Sequence, residues 1–146
     1  MNMLGRIMMI IALSAAFVPD LTLYAQAPGD IQYIKRYPRG HAFQIAYREG
    51  GPLYGTYFFL DVHFCSSGQY ILHGQSLKQT ILGNEQVNNW TDNGVWDVVS
   101  VQGHASLRYV AASGARDTVA LEILPDGHIR PSSGAFMKRQ GKAQCQ

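Results

Sequence analysis

From Pro38 onward, glycine-bearing turn signals divide the chain at close intervals, and this punctuation limits the fold more than any other feature. The signals are Pro38-Arg39-Gly40, Glu49-Gly50-Gly51-Pro52, Ser66-Ser67-Gly68, Leu82-Gly83-Asn84, Asp92-Asn93-Gly94, Gln102-Gly103, Ser113-Gly114, Pro125-Asp126-Gly127 and Ser132-Ser133-Gly134. Each combines residues that accept positive φ or preset a turn. Between them lie short segments rich in Val, Ile, Thr, Tyr and Phe, among them "IQYIKRY", "HAFQIAYR", "GTYFFLDVHF", "QYILHGQS", "VWDVVSV", "ASLRYVAA" and "TVALEIL". Such segments have strand composition at strand length. No stretch past residue 27 keeps a helical apolar period for ten residues without meeting a turn signal. The expectation is an all-β domain, a single antiparallel meander of eight or nine strands closed into a small barrel.

The N-terminus sets the compartment. Met1 to Ala27 has one positive charge at Arg6, an apolar run from Ile7 to Val18, and Ala25-Gln26-Ala27, which has the small-x-small form of a signal-peptidase site. It reads as a secretory signal cut after Ala25 or Ala27. The apolar run falls short of the roughly 20 residues that span a bilayer, so no stable membrane anchor is expected. No cysteine lies in or just after the signal to accept a lipid. The predicted location is secreted or periplasmic.

Pro28 to Gln146 leaves 119 residues, the length of one domain. The net charge of +2 is close to neutral. Lys35-Arg36-Arg39 and Lys138-Arg139-Lys142 are the basic clusters, too small for a nucleic-acid footprint. No nucleic-acid partner is expected.

"VHFCSSGQYILHG", residues 62 to 74, bears on function. Alternation along a strand puts Leu60, Val62 and Phe64 on one face and Asp61, His63 and Cys65 on the other. A three-residue loop at Ser66-Ser67-Gly68 would bring Tyr70 and Leu72 opposite Phe64 and Val62. The chain's two cysteines, Cys65 and Cys145, both survive signal removal. In an oxidising compartment such a pair is most simply a disulfide. The competing reading has His63, Cys65 and His73 converge on zinc, completed by Asp61. A Cys-His nucleophilic pair would need a free thiolate.

Gly-x-Ser-x-Gly, His-Glu-x-x-His, the phosphate-binding loop and the dinucleotide fingerprint are all missing from the sequence. His104 and His128 lie beside the turns at Gly103 and Gly127 and read as exposed polar residues. The chain is expected not to be an enzyme and to need no cofactor or metal. Trp90 and Trp96 flank Asn93-Gly94, which reads as a hairpin turn. Trp96 and Val98 share a face that Leu107 and Tyr109 could join. These residues either fill the barrel core or wall a pocket for a small apolar ligand.

The run Gly94-Val95-Trp96-Asp97-Val98, then "LRYV", "VALEIL", "PDGHI" and "SSGAFMKR", resembles the hairpin rhythm of small secreted lipocalin-like barrels over roughly residues 60 to 140. That resemblance implies an interior site for a small apolar ligand or an envelope component, with Trp96, Tyr109 and Tyr70 as its walls. "ASGAR", Ala112 to Arg116, is similar to the inhibitory loop of periplasmic lysozyme inhibitors. That likeness implies instead one protein partner, met through Ser113, Gly114 and Arg116. An open interior lined by aromatics supports the first class; a filled interior with a protruding 112–117 loop supports the second.

Overall fold

The structure, a computed structural model, describes residues 27–51, 53–83 and 85–146. The candidate signal therefore lies, apart from Ala27, outside the described residues.

Eight strands form an antiparallel meander: β1 (His41–Gly50), β2 (Gly55–Phe64), β3 (Gln69–Gln79), β4 (Glu85–Val101), β5 (His104–Ala111), β6 (Arg116–Ile123), β7 (Ile129–Pro131) and β8 (Phe136–Lys142). Their order in the sheet is β7-β6-β5-β4-β3-β2-β1-β8, so β8 returns to pair with β1. The result is a nearly closed barrel with its seam where short β7 meets β8. The expected all-β barrel is therefore the fold, with eight strands among the described residues.

Register follows the alternation of side chains. Phe64 lies opposite Tyr70 and Val62 opposite Leu72, and all four are buried. Between them Ser66-Ser67-Gly68 makes the three-residue loop, with Gly68 at φ 89 and its N–H donating to the Cys65 carbonyl at 3.0 Å. Only a residue without Cβ takes that φ cheaply. Trp96 pairs with Tyr109 and Val98 with Leu107, as the pattern predicts.

Two expectations fail. "IQYIKRY" is not a strand but part of a short helix, α1 (Pro28–Arg36). Pro28 at the first turn, Asp30 beside the helix N-terminus and Lys35 and Arg36 in the last turn all favour a helix. At nine residues it is too brief for its period to stand out from a strand pattern. Its apolar side, Ile31 and Ile34, enters the end of the barrel against β4, β5 and β6.

Asn93-Gly94 is likewise no hairpin. Both residues lie inside the 17-residue β4, and neither has the positive φ that a two-residue hairpin of this composition requires. Gly94 is there for space: a Cβ at this position would collide with the Val110 carbonyl and the Ala111 backbone of β5. The long strand pairs its first part with β3 and its last part with β5.

Candidate functional site

The lower end of the barrel is packed. Phe43, Phe64, Trp96, Val98, Ala105, Leu121 and Ile129 are buried there with Ile34 of α1, which is 0 % exposed. Phe64 meets Trp96 edge to face at 5.2 Å and Phe43 at 5.8 Å. The Trp96 indole N–H donates to the Cys65 carbonyl at 3.3 Å, and the Arg39 guanidinium lies 5.4 Å from the indole centre. Below this, Tyr33 bonds through its hydroxyl to the Gly127 carbonyl at 2.7 Å, fastening α1 to the β6–β7 turn.

The upper half is hollow. A cavity of about 810 Å³ opens there, with Ile45, Leu60, Val62, Leu72, Leu107 and Val119 among its apolar walls. Residues 133–137, the end of the β7–β8 link and the start of β8, form one side of it, at the seam. A drug-sized pocket has this size and this largely apolar character. The loops at the open end carry Leu53, Tyr54, Ile81 and Leu82 exposed to solvent.

A few polar groups interrupt the apolar wall. Tyr70 donates its hydroxyl to Asp92 Oδ2 at 3.1 Å, and the Asn93 N–H holds Oδ1 at 2.8 Å. The Tyr70 and Tyr109 rings meet edge to face, 6.0 Å apart. Tyr47 stacks on Phe58 at 4.8 Å, and Phe58 in turn meets the edge of Trp90. The Tyr109 hydroxyl oxygen is buried without a hydrogen-bond partner among the described residues. All three tyrosine hydroxyls are held well above their ordinary pKa. Burial is the main cause in each, followed by the charges of Glu49 on Tyr47, Asp92 on Tyr70 and Asp117 on Tyr109. At neutral pH they are uncharged and able both to donate and to accept.

Of the three residues expected to wall a pocket, Tyr70 and Tyr109 line the cavity, whereas Trp96 does not. Trp96 belongs to the packed floor. Asp92, Tyr47 and Glu49 line the cavity too, and sequence reasoning passed over them. Asp92 shares the parity of Trp90, Trp96 and Val98 along one strand; reading Asn93-Gly94 as a turn broke that alternation and hid it.

The expected partner loop is a short turn. Ser113, Gly114 and Arg116 are exposed, and the turn is closed by the Ala111 N–H on the Ala115 carbonyl at 2.7 Å and the Gly114 N–H on the Ala111 carbonyl at 2.8 Å. The Ala112 N–H donates to the Asn93 carbonyl at 2.8 Å, tying the turn down onto β4.

Cys65 and Cys145 are bonded to each other. The zinc alternative is thereby removed, because its sulfur ligand is consumed. His63 has another employment: its Nδ1 accepts the Gln144 N–H at 2.9 Å while its Nε2 faces Asp61 at 3.4 Å. Together with the Ala143 N–H on the Gly40 carbonyl, this lays the C-terminal tail along the barrel as far as Cys145. Among the described residues no group of three or more His, Cys, Asp or Glu is arranged to hold a metal ion. Of the two turn histidines, His128 is exposed and paired with Asp126 at 3.0 Å. His104, against expectation, is half-buried and its Nε2 lies inside without a partner.

Among the described residues no helix is long and apolar enough to cross a membrane. Comparison with protein-family models, with curated proteins and with solved structures gives no match.

Proposed function

We propose that this chain is a secreted or periplasmic, non-enzymatic binding module, lipocalin-like in plan, that carries a small and mostly apolar ligand in the upper half of its barrel. The single observation that carries this reading is the cavity of about 810 Å³, apolar in its walls and provided with a few inward hydroxyls. Apolar surface supplies affinity there, and a small number of placed polar groups supplies orientation. The unpartnered Tyr109 hydroxyl supports the same reading, since a buried polar group left unpaired costs about 1 to 3 kcal/mol that a bound molecule can relieve. Export is supported by the N-terminal apolar segment and by the Cys65–Cys145 bond, which persists in oxidising compartments.

The alternative, a protein-binding or inhibitory barrel acting through residues 112–117, called for a filled interior. The hollow upper half favours the carrier. Native mass spectrometry of the protein taken from the exported fraction tests the choice. A small molecule retained by the native protein and released on unfolding is the expected outcome. A stoichiometric protein partner that is lost with Arg116→Ala, with no small molecule present, would reject the carrier in favour of the loop.

A further inference from the structure

The cavity is not electrically neutral, and its imbalance points to one class of ligand. Asp92 puts a carboxylate on the cavity wall, and none of the ion pairs among the described residues involves it. Among the described residues its oxygens are held by two donors, the Tyr70 hydroxyl and the Asn93 N–H. Glu49 lines the rim on the same inward parity as Tyr47. Asp117, opposite Tyr109 in the β5–β6 register, adds a third negative charge on that face.

Among the described residues no inward cation balances these charges. Arg48, the one cation in the lining among the described residues, turns its guanidinium onto the Gly51 carbonyl at 2.7 Å and over the Tyr57 ring. Tyr57 pairs with Arg48 on the outer face. Arg139 shares the Phe43 register at the far end, where it bonds the Tyr37 carbonyl at 3.0 Å and stacks 4.1 Å from the Tyr37 ring centre. Low-dielectric walls focus such a negative field on whatever enters.

We propose that the cavity selects amphiphilic cations, a protonated primary amine on an apolar body, with the ammonium group seated at Asp92 beside the Tyr70 and Tyr109 rings. The inference rests on the carrier reading above and names its ligand class. An ammonium group brings three donors and no acceptor. The site answers with carboxylate oxygens and with the Tyr109 hydroxyl oxygen, which has no hydrogen-bond partner among the described residues. Two tyrosine rings beside the carboxylate add the attraction of aromatic faces for a cation. A fatty carboxylate meets the opposite situation, since it would bring a second negative charge next to Asp92 with no inward cation among the described residues to receive it.

The test uses the whole exported protein and N-phenyl-1-naphthylamine, an apolar fluorophore uncharged at neutral pH, as the reporter of cavity occupancy. Decylammonium, 1-decanol and decanoate, equal in chain length, then compete for it. The expected order is decylammonium first by about tenfold over decanol, with decanoate weakest. Asp92→Asn is expected to erase the advantage of the amine over the alcohol, bringing decylammonium down to the level of decanol measured on the same variant. Tyr109→Phe, which keeps the ring, is expected to weaken decylammonium by about threefold, the loss of one hydrogen bond. Circular dichroism of each variant confirms the fold, and if Asp92→Asn does not fold, the wild-type order and Tyr109→Phe decide.

Reporter binding with decanoate equal to or tighter than decylammonium, or an amine preference that survives Asp92→Asn, would overturn the cation inference and leave the carrier standing. Failure of the reporter and of all three competitors to bind would remove the carrier reading itself, and this inference with it.

Discussion

The two ends of this barrel are made by the same eight strands under the same alternation, yet one is packed and the other hollow. At the lower end Phe43, Phe64 and Trp96 interlock with Val98, Leu121 and Ile129, and Ile34 of α1 fills what remains. At the upper end the inward positions carry Tyr47, Tyr70, Asp92 and Tyr109, and their walls enclose open space. A barrel of about eight strands has an interior just wide enough for side chains to fill or for one small ligand. What decides between those outcomes is the plug, not the sheet. Large apolar side chains and an inserted helix close one end; tyrosines, whose hydroxyls resist close apolar packing, leave the other open.

Removing the centre of the packed end tests that contrast most strongly. Trp96→Ala is expected to cost about 3 to 5 kcal/mol in urea unfolding, through lost burial and the void left behind. A loss under about 1 kcal/mol would mean that the floor is not packed as described.

The disulfide comes next, since it ties the C-terminal tail to the foot of β2 across 80 residues. Cys65→Ser with Cys145→Ser is expected to lower stability by about 2 to 5 kcal/mol and the melting temperature with it. The far-UV β signal is expected to persist, because the strands keep their own pairing. Two reactive thiols in native wild-type protein would contradict the bond.

At the hollow end the expected sign reverses. Tyr109→Phe removes a buried hydroxyl that has no partner among the described residues, and the ligand-free protein is expected to gain about 1 kcal/mol. A loss of that size would mean the hydroxyl is satisfied after all. The same end governs alkaline behaviour. The raised tyrosines keep their protons in the folded state at pH values where the unfolded chain has released them, so the folded state binds more protons. Stability is therefore fully present below about pH 10 and falls as the pH rises through and beyond it. Tyr109→Phe is expected to flatten that fall, as measured by thermal melts from neutral to alkaline pH.

The smallest effect belongs to the turn between β5 and β6, at the rim of the hollow end. Arg116 is exposed there, and Arg116→Ala is expected to shift stability by no more than about 0.5 kcal/mol. A change above 1 kcal/mol would show that the turn supports the hollow end mechanically.

Local chemistry made much of this fold legible in the amino-acid order. The turn residues and the β-branched and aromatic segments between them determined the meander, and alternation assigned Leu60, Val62 and Phe64 to the inside and paired them with Tyr70 and Leu72. The cysteine pair needed only an even count and the expectation of export to be joined. These features depend on neighbours a few residues apart, or on two groups with a single simple pairing. Three others did not. α1 is helical at nine residues because Ile31 and Ile34 find the barrel end to fill, and tertiary burial outweighs so short a pattern. Gly94 looks like a turn residue but serves a close approach of β5, which exists only once both strands are in place. The cavity and its negative interior are the third case. They depend on how far apart opposite walls stand and on which way Arg48 turns, distances between residues remote in the chain, which the closing of the sheet alone determines.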